Sequence, residues 1–148
     1  MVIKQLSVFV ENRRGSIEQV TETLSKHNIN IASFSLADTS EYGVLRMIVS
    51  KPEEGRRVLK DEGFSAMLTD VIAVKLMQKP GTLHKVLEIL FEAGLNVEYM
   101  YTLSTVGKDT SIIMKASDLE EALKVLKANR YDVCTDKEAY EINYINYK

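Results

Sequence analysis

Sliding the chain against itself by 66 positions places Val8 over Val74, Gly15 over Gly81, Val20 over Val86, Leu24 over Leu90 and Asn30 over Asn96. Conservative partners fill the intervals, with Ser16 over Thr82, Ile17 over Leu83, Ile29 over Leu95 and Ile31 over Val97. A chain whose halves share a pattern of this density is expected to build one supersecondary unit twice. Further along the offset becomes 67, since Ser50-x-x-Glu53 matches Ser117-x-x-Glu120, which places a one-residue insertion in the hairpin region of the second copy. The expected domains are residues 1–70 and 71–148, the second with a C-terminal extension.

Each copy opens with a Val/Ile/Leu-rich strand, Val2 to Val10 and Val71 to Met77. Ile17, Val20 and Leu24, and in the second copy Leu83, Val86, Leu87 and Leu90, recur with helical spacing and form one apolar stripe that must pack on a sheet. Ser16 with Gln19 reads as a capping box and Thr82 as an N-cap. Second and third strands follow at Ile29 to Ala37 and Val44 to Val49, and at Leu95 to Leu103 and Thr110 to Lys115. Second helices are expected to start at the Ser-x-x-Glu boxes, with Gly63 ending the first and Asn129 the second. Fourth strands at Phe64 to Thr69 and Tyr131 to Thr135 complete a β-α-β-β-α-β order in each copy. The expected fold class is α+β, two tandem ferredoxin-like domains with helices on one face of antiparallel sheets. Tyr140, Ile142 and Tyr144 alternate in the tail, which reads as an extra edge strand.

Composition narrows the function. With 45% hydrophobic and 27% charged residues the chain has the make-up of a globular protein with a core. A net charge of -2 offers no broad positive field for nucleic acid or an anionic membrane. The third strand, Val44 to Val49, has one Arg and no aromatic platform, which argues against RNA recognition. The single cysteine, Cys134, cannot form an internal disulfide, no Cys/His cluster supplies metal ligands, and no apolar run reaches the length of a membrane span. A cytoplasmic location is expected, with no cofactor and no metal. Neither His27 nor His84 has a nucleophile or carboxylate at catalytic spacing in sequence, so no catalytic residue is assigned.

The turn before the first helix reads Glu11-Asn12-Arg13-Arg14-Gly15-Ser16-Ile17, with Asn28-Ile29-Asn30-Ile31 after the helix. The second copy has Gln78-Lys79-Pro80-Gly81-Thr82-Leu83 and Gly94-Leu95-Asn96-Val97. These segments resemble the ACT domain family, whose signature is Asp or Asn, two residues and Gly before the first helix, and a Gly-Ile-Asn-Ile type second strand. The first copy is similar in particular to the serine-sensing regulatory domain of phosphoglycerate dehydrogenases, in which asparagines matching Asn12 and Asn30 hold the effector. The resemblance implies a non-enzymatic sensor of a free amino acid. It further implies sites between paired domains, so that the two copies, or two chains of a homodimer, enclose the ligand and binding acts on an enzyme or other protein in trans.

Elementary chemistry fits that implication. A glycine at a strand-to-helix turn lets backbone approach a ligand, the helix start offers free N–H groups to a carboxylate, and two asparagine amides each bring an acceptor and a donor. The ligand-binding residues expected are Asn12, Arg13, Arg14, Gly15, Ser16, Ile17 and Asn30 in the first copy, with Gln78, Gly81, Thr82, Leu83 and Asn96 in the second. Bland readings stand beside these: turn glycines, asparagines capping their own backbone, and solvated loop arginines. The alternative function is a structural pairing module without a ligand. The identity of the amino acid, and of the protein regulated, is not written in the sequence.

Overall fold

A computed structural model describes residues 2–38, 41–106 and 108–141. The chain divides into two compact units, the first built on Lys4–Thr69 and the second on Asp70–Ala139. In chain order the elements are β1 Ile3–Glu11, α1 Ser16–Lys26, β2 Ile31–Asp38, β3 Tyr42–Val49, α2 Pro52–Asp61, β4 Ser65–Met77, α3 Thr82–Glu92, β5 Val97–Val106, β6 Asp109–Ala116, α4 Leu119–Ala128 and α5 Asp136–Glu141. The fourth strand expected of the first copy and the first strand expected of the second are one strand, β4, and the unit boundary falls inside it.

In the first unit the strand order is β2-β3-β1-β4, with β1 and β2 both antiparallel to β3. The second unit runs β5-β6-β4. The Tyr131–Thr135 segment joins β4 through a single bridge at Val133, with Lys75 N–H donating to Asp132 O (2.9 Å) and Cys134 N–H to Ala73 O (2.8 Å). Each unit thus follows the ferredoxin-like order.

The cores repeat position by position. Leu6, Val8, Val10, Val20, Leu24, Met47 and Leu59 are buried in the first; Ile72, Val74, Leu76, Val86, Leu90, Met114 and Leu126 take the same places in the second. A fully buried side chain of this kind contributes roughly 1.5 to 3 kcal/mol, so the stripes foreseen on α1 and α3 hold the helices to the sheets. At Gly55 a β-carbon would sit 3.0 Å from Leu6 Cδ2, so the glycine allows α2 to lie close on β1. The matching residue in α4 is the buried Ala122.

The inserted residue appears in the ladder. A shift at Ile31/Ser33 in β2 recurs at Val97/Tyr99 in β5, but β5 has a second shift between Thr102 and Ser104. The extra residue is absorbed there as a bulge around the buried Leu103.

Several local expectations are corrected. Gly15 and Gly81, in left-handed conformation, occupy the N-cap positions of α1 and α3 without a side-chain cap, so neither the Ser16/Gln19 box nor a Thr82 N-cap forms. The Thr82 hydroxyl instead donates to Lys79 O at 2.9 Å. Ser50 and Ser117 are not helix caps, because each hydroxyl accepts from the backbone N–H of an asparagine, Asn30 (2.9 Å) and Asn96 (3.1 Å). Asp118 caps α4 by accepting from Glu121 N–H at 3.1 Å.

Gly63, at φ +90°, follows α2 as expected, but the left-handed residue after α4 is Arg130 at φ 65°, one beyond Asn129. The tail does not begin as an edge strand: Asp136–Glu141 is helix α5, entered through a reciprocal cap between Thr135 and Glu138. Ile142 and Tyr144 lie outside the described residues.

Candidate functional site

Two near-identical turns join the first strand of each unit to its helix. Gly15 has φ 90° and ψ -10°, and Gly81 has φ 87° and ψ -10°. A positive φ of this size is strained for any residue with a β-carbon, which explains the glycine at both places. Ser16 N–H donates to Arg13 O and Thr82 N–H to Lys79 O, both at 3.3 Å, while Gly15 O and Gly81 O each accept from a helix N–H at 3.0 Å. The N–H groups of Ile17 and Glu18 have no partner among the described residues and lie at the positive end of α1.

Beside the first turn is a cavity of about 390 Å³. Phe9, Val10 and Glu11 of β1 form one side, with Arg13, Ser16 and Gln19 from the turn and α1. Tyr42 at the start of β3, and Glu62 to Ser65, which lead from α2 into the first residue of β4, complete it. The Arg13 guanidinium holds the Glu11 carboxylate at 2.9 Å, with both side chains 65% exposed, so solvent screens the pair and both groups stay within reach of a ligand. Ser16 is buried at the base of the helix.

A second cavity of the first unit, about 350 Å³, lies at the other end of α1 and is lined by Thr21, Ser25, Asn28, Ile29, Asn30 and Ile31. Neither cavity is lined by both expected asparagines. Asn12 is exposed between Glu11 and Arg13, its backbone N–H donating to Glu41 O at 3.0 Å. Asn30 is pinned by its backbone to Ser50 in both directions. The side-chain amides of Asn12, Asn30 and Asn96 have no hydrogen bond among the described residues, so none of them caps its own backbone.

The other expected residues divide. Arg14 and Gln78 are exposed, whereas Ile17 and Leu83 pack against the cores and serve the fold. In the second unit the cavity's lining chemistry is replaced, with Lys75 where the first has Phe9, Met77 where it has Glu11 and Arg130 where it has Gly63. Sequence reasoning missed Phe9, Tyr42 and Glu62 to Ser65. The topology contained the signal, because in a β-α-β-β-α-β unit the end of the first strand, the start of the third and the entry to the fourth meet at one sheet end.

The described residues hold no group of three or more metal-ligating side chains, and no described helix is long and apolar enough to cross a membrane. A polar cluster elsewhere brings together Lys75, Ser111, Cys134 and Glu138. There Lys75 pairs with Glu138 at 2.7 Å, and the Cys134 thiol donates to Ser111 Oγ at 3.6 Å. Cys134 is 1% exposed, and burial pushes its pKa above the usual thiol value, which keeps it protonated and poorly nucleophilic. His84 is exposed and 3.4 Å from Glu88, and His27 Nδ1 lies 2.9 Å from Thr23 O at the end of α1.

No curated protein matches the chain. Among solved structures it is similar to that of a Bacteroides thetaiotaomicron protein, with 36% identity over 95% of this chain and 97% of that one, and a TM-score of 0.91. The regulatory subunits of aspartate kinase from Thermus thermophilus and Thermus flavus share the fold at 18% identity, with TM-scores of 0.64 and 0.62. The alignments cover 86% and 84% of this chain, and 93% and 88% of the two subunits. A family model described as an ACT domain pair matches residues 1–143. With both turns, both cores and both sheets repeated as that description requires, the chain belongs to the ACT domain family as an ACT domain pair.

Proposed function

We propose that the chain is a non-enzymatic sensor that binds a free amino acid chiefly at its first turn and regulates a partner protein in trans. The observation carrying this reading is the first turn itself: a left-handed glycine, free helix N–H groups and a charge pair beside a cavity of about 390 Å³, within the size range of small-molecule sites. An amino acid brings both charges, so its ammonium suits Glu11 and its carboxylate suits Arg13 and the helix N-terminus. Family membership supports a regulatory role. The Thermus neighbours are regulatory subunits of a kinase, and an enzyme of amino-acid metabolism is the corresponding class of partner here.

The 11 residues of α1, at about 1.5 Å each, separate Asn12 from Asn30 by roughly 16 Å. That is too far for both to grip one amino-acid backbone within a single unit. Asn12 from one domain and Asn30 from another then share the ligand, which makes binding depend on domain pairing in a homodimer. Phe34 and Leu36, 68% and 51% exposed on β2, which ends the sheet order of the first unit, supply apolar surface for that pairing. The same two residues favour the second reading, a pairing module without ligand.

A thermal-shift screen against the twenty common amino acids separates the two readings, since a ligand that binds only the native state raises Tm with concentration. The sensor reading expects a saturable rise with at least one amino acid, recovered unchanged after incubation. A flat panel favours the pairing module, and product in excess of protein revives an enzyme.

A further inference from the structure

We infer that the amino acid taken by the first-unit cavity has a basic side chain, an inference that rests on the sensor reading above. The charged residues lining the cavity are Glu11, Arg13 and Glu62. Glu11 and Arg13 neutralise one another at 2.9 Å. The Glu62 carboxylate has no hydrogen bond or ion pair among the described residues. The cation whose field it shares, Lys26, is held by Glu22 at 3.0 Å and does not line the cavity, so the charge of the lining itself is net negative. A zwitterion with a neutral side chain leaves that charge unanswered. A lysine or arginine, with a net charge of one positive unit, answers it.

Aromatic placement points the same way. Phe9, Tyr42 and Phe64 all contribute to the lining, and Tyr42 stands directly across from Glu11 in the β1/β3 ladder with Phe9 two residues along the same face. Ring faces attract ammonium and guanidinium groups while also accepting the methylene stem that carries them. Carboxylates among aromatic rings are a poor setting for an acidic side chain, which they repel. The second unit lacks the arrangement, with Lys75, itself neutralised by Glu138 at 2.7 Å, in place of Phe9 and Arg130 in place of Gly63, so a cation entering there loses the ring and meets the Arg130 charge.

Titration calorimetry of the full chain with L-lysine and L-norleucine, which differ by the terminal ammonium, tests the inference. Lysine is expected to bind at least about tenfold more tightly, a difference of roughly 1.4 kcal/mol, with the advantage shrinking as salt is raised. Glu62→Gln, an exposed change just beyond α2, is expected to bring lysine within about twofold of norleucine and to leave norleucine and the Tm of the free protein unchanged. Norleucine binding as tightly as lysine, or a lysine preference that survives Glu62→Gln, overturns the basic-side-chain assignment and leaves the sensor reading standing. Absence of binding by every amino acid overturns the sensor reading itself.

Discussion

Asn30 and Asn96 hold matching positions after α1 and α3, and Asn12 lies at the other end of α1, yet the three carry unequal weight. The first two flank a helix whose N-terminal cavity carries Glu11 and Arg13, whereas Asn96 belongs to a unit with Gln78 in the turn and Met77 in place of Glu11. Glutamine is one methylene longer than asparagine, has more rotamer freedom to lose on ordering, and holds its amide in a different place. If each first-copy amide meets a charged ligand group, Asn12→Ala and Asn30→Ala each weaken binding by roughly 1.5 to 3 kcal/mol, about ten- to a hundredfold. Asn96→Ala costs less. Calorimetry on the three variants, each shown to be folded, checks this; unchanged affinity in the first two removes the site assignment, and loss mainly in Asn96→Ala moves it to the second copy.

The helix ends show how far sequence reads at the scale of elements. Gly63 N–H donates to Lys60 O and Phe64 N–H to Leu59 O, and the second copy repeats both bonds with Arg130 and Tyr131. The geometry is the same, but only one copy has glycine at the left-handed position. An arginine there bears a cost of roughly 1 to 2 kcal/mol, part of which a glycine gives back through its greater freedom in the unfolded chain. Arg130→Gly is therefore expected to stabilise the second unit by about 0.5 to 1 kcal/mol, read from its urea midpoint at unchanged slope. Destabilisation shows that the exposed side chain contributes more than its backbone strain removes.

Apolar periodicity made α1, α3 and the strands of both units legible, because burial enforces it and the repeat doubles the signal. Caps were less legible. A serine ahead of a helix reads as a cap whether its hydroxyl meets that helix or a distant N–H, and Ser50 and Ser117 bond residues 20 and 21 positions away. The strand reading of the tail failed because the Thr135/Glu138 box and the Lys75–Glu138 pair favour a helical turn over the alternation of Tyr140. The expected site residues Gly15, Ser16 and Arg13 were recognised from a motif. Phe9, Tyr42 and Glu62 were not, since a cavity wall assembled from three distant segments leaves no local pattern.

For the whole molecule, duplication supplies two glycine turns and two sheet edges from one design, and divergence at the cavity lining leaves the copies unequal. A homodimer that tightens with ligand is expected if, as proposed, Asn12 and Asn30 from different domains share one ligand. Sedimentation velocity should show dimer at micromolar concentration, with the dimer fraction rising when the amino acid is added. Monomer under both conditions at high micromolar concentration contradicts shared-site binding. The most direct test of the central claim is amide NMR of the labelled full chain during titration with the amino acid that gives the largest thermal shift. The account predicts saturable movement of the Gly15, Ser16 and Ile17 amides at concentrations that leave Gly81, Thr82 and Leu83 in place. Stationary amides in both turns at millimolar ligand, or movement confined to the second turn, contradict it.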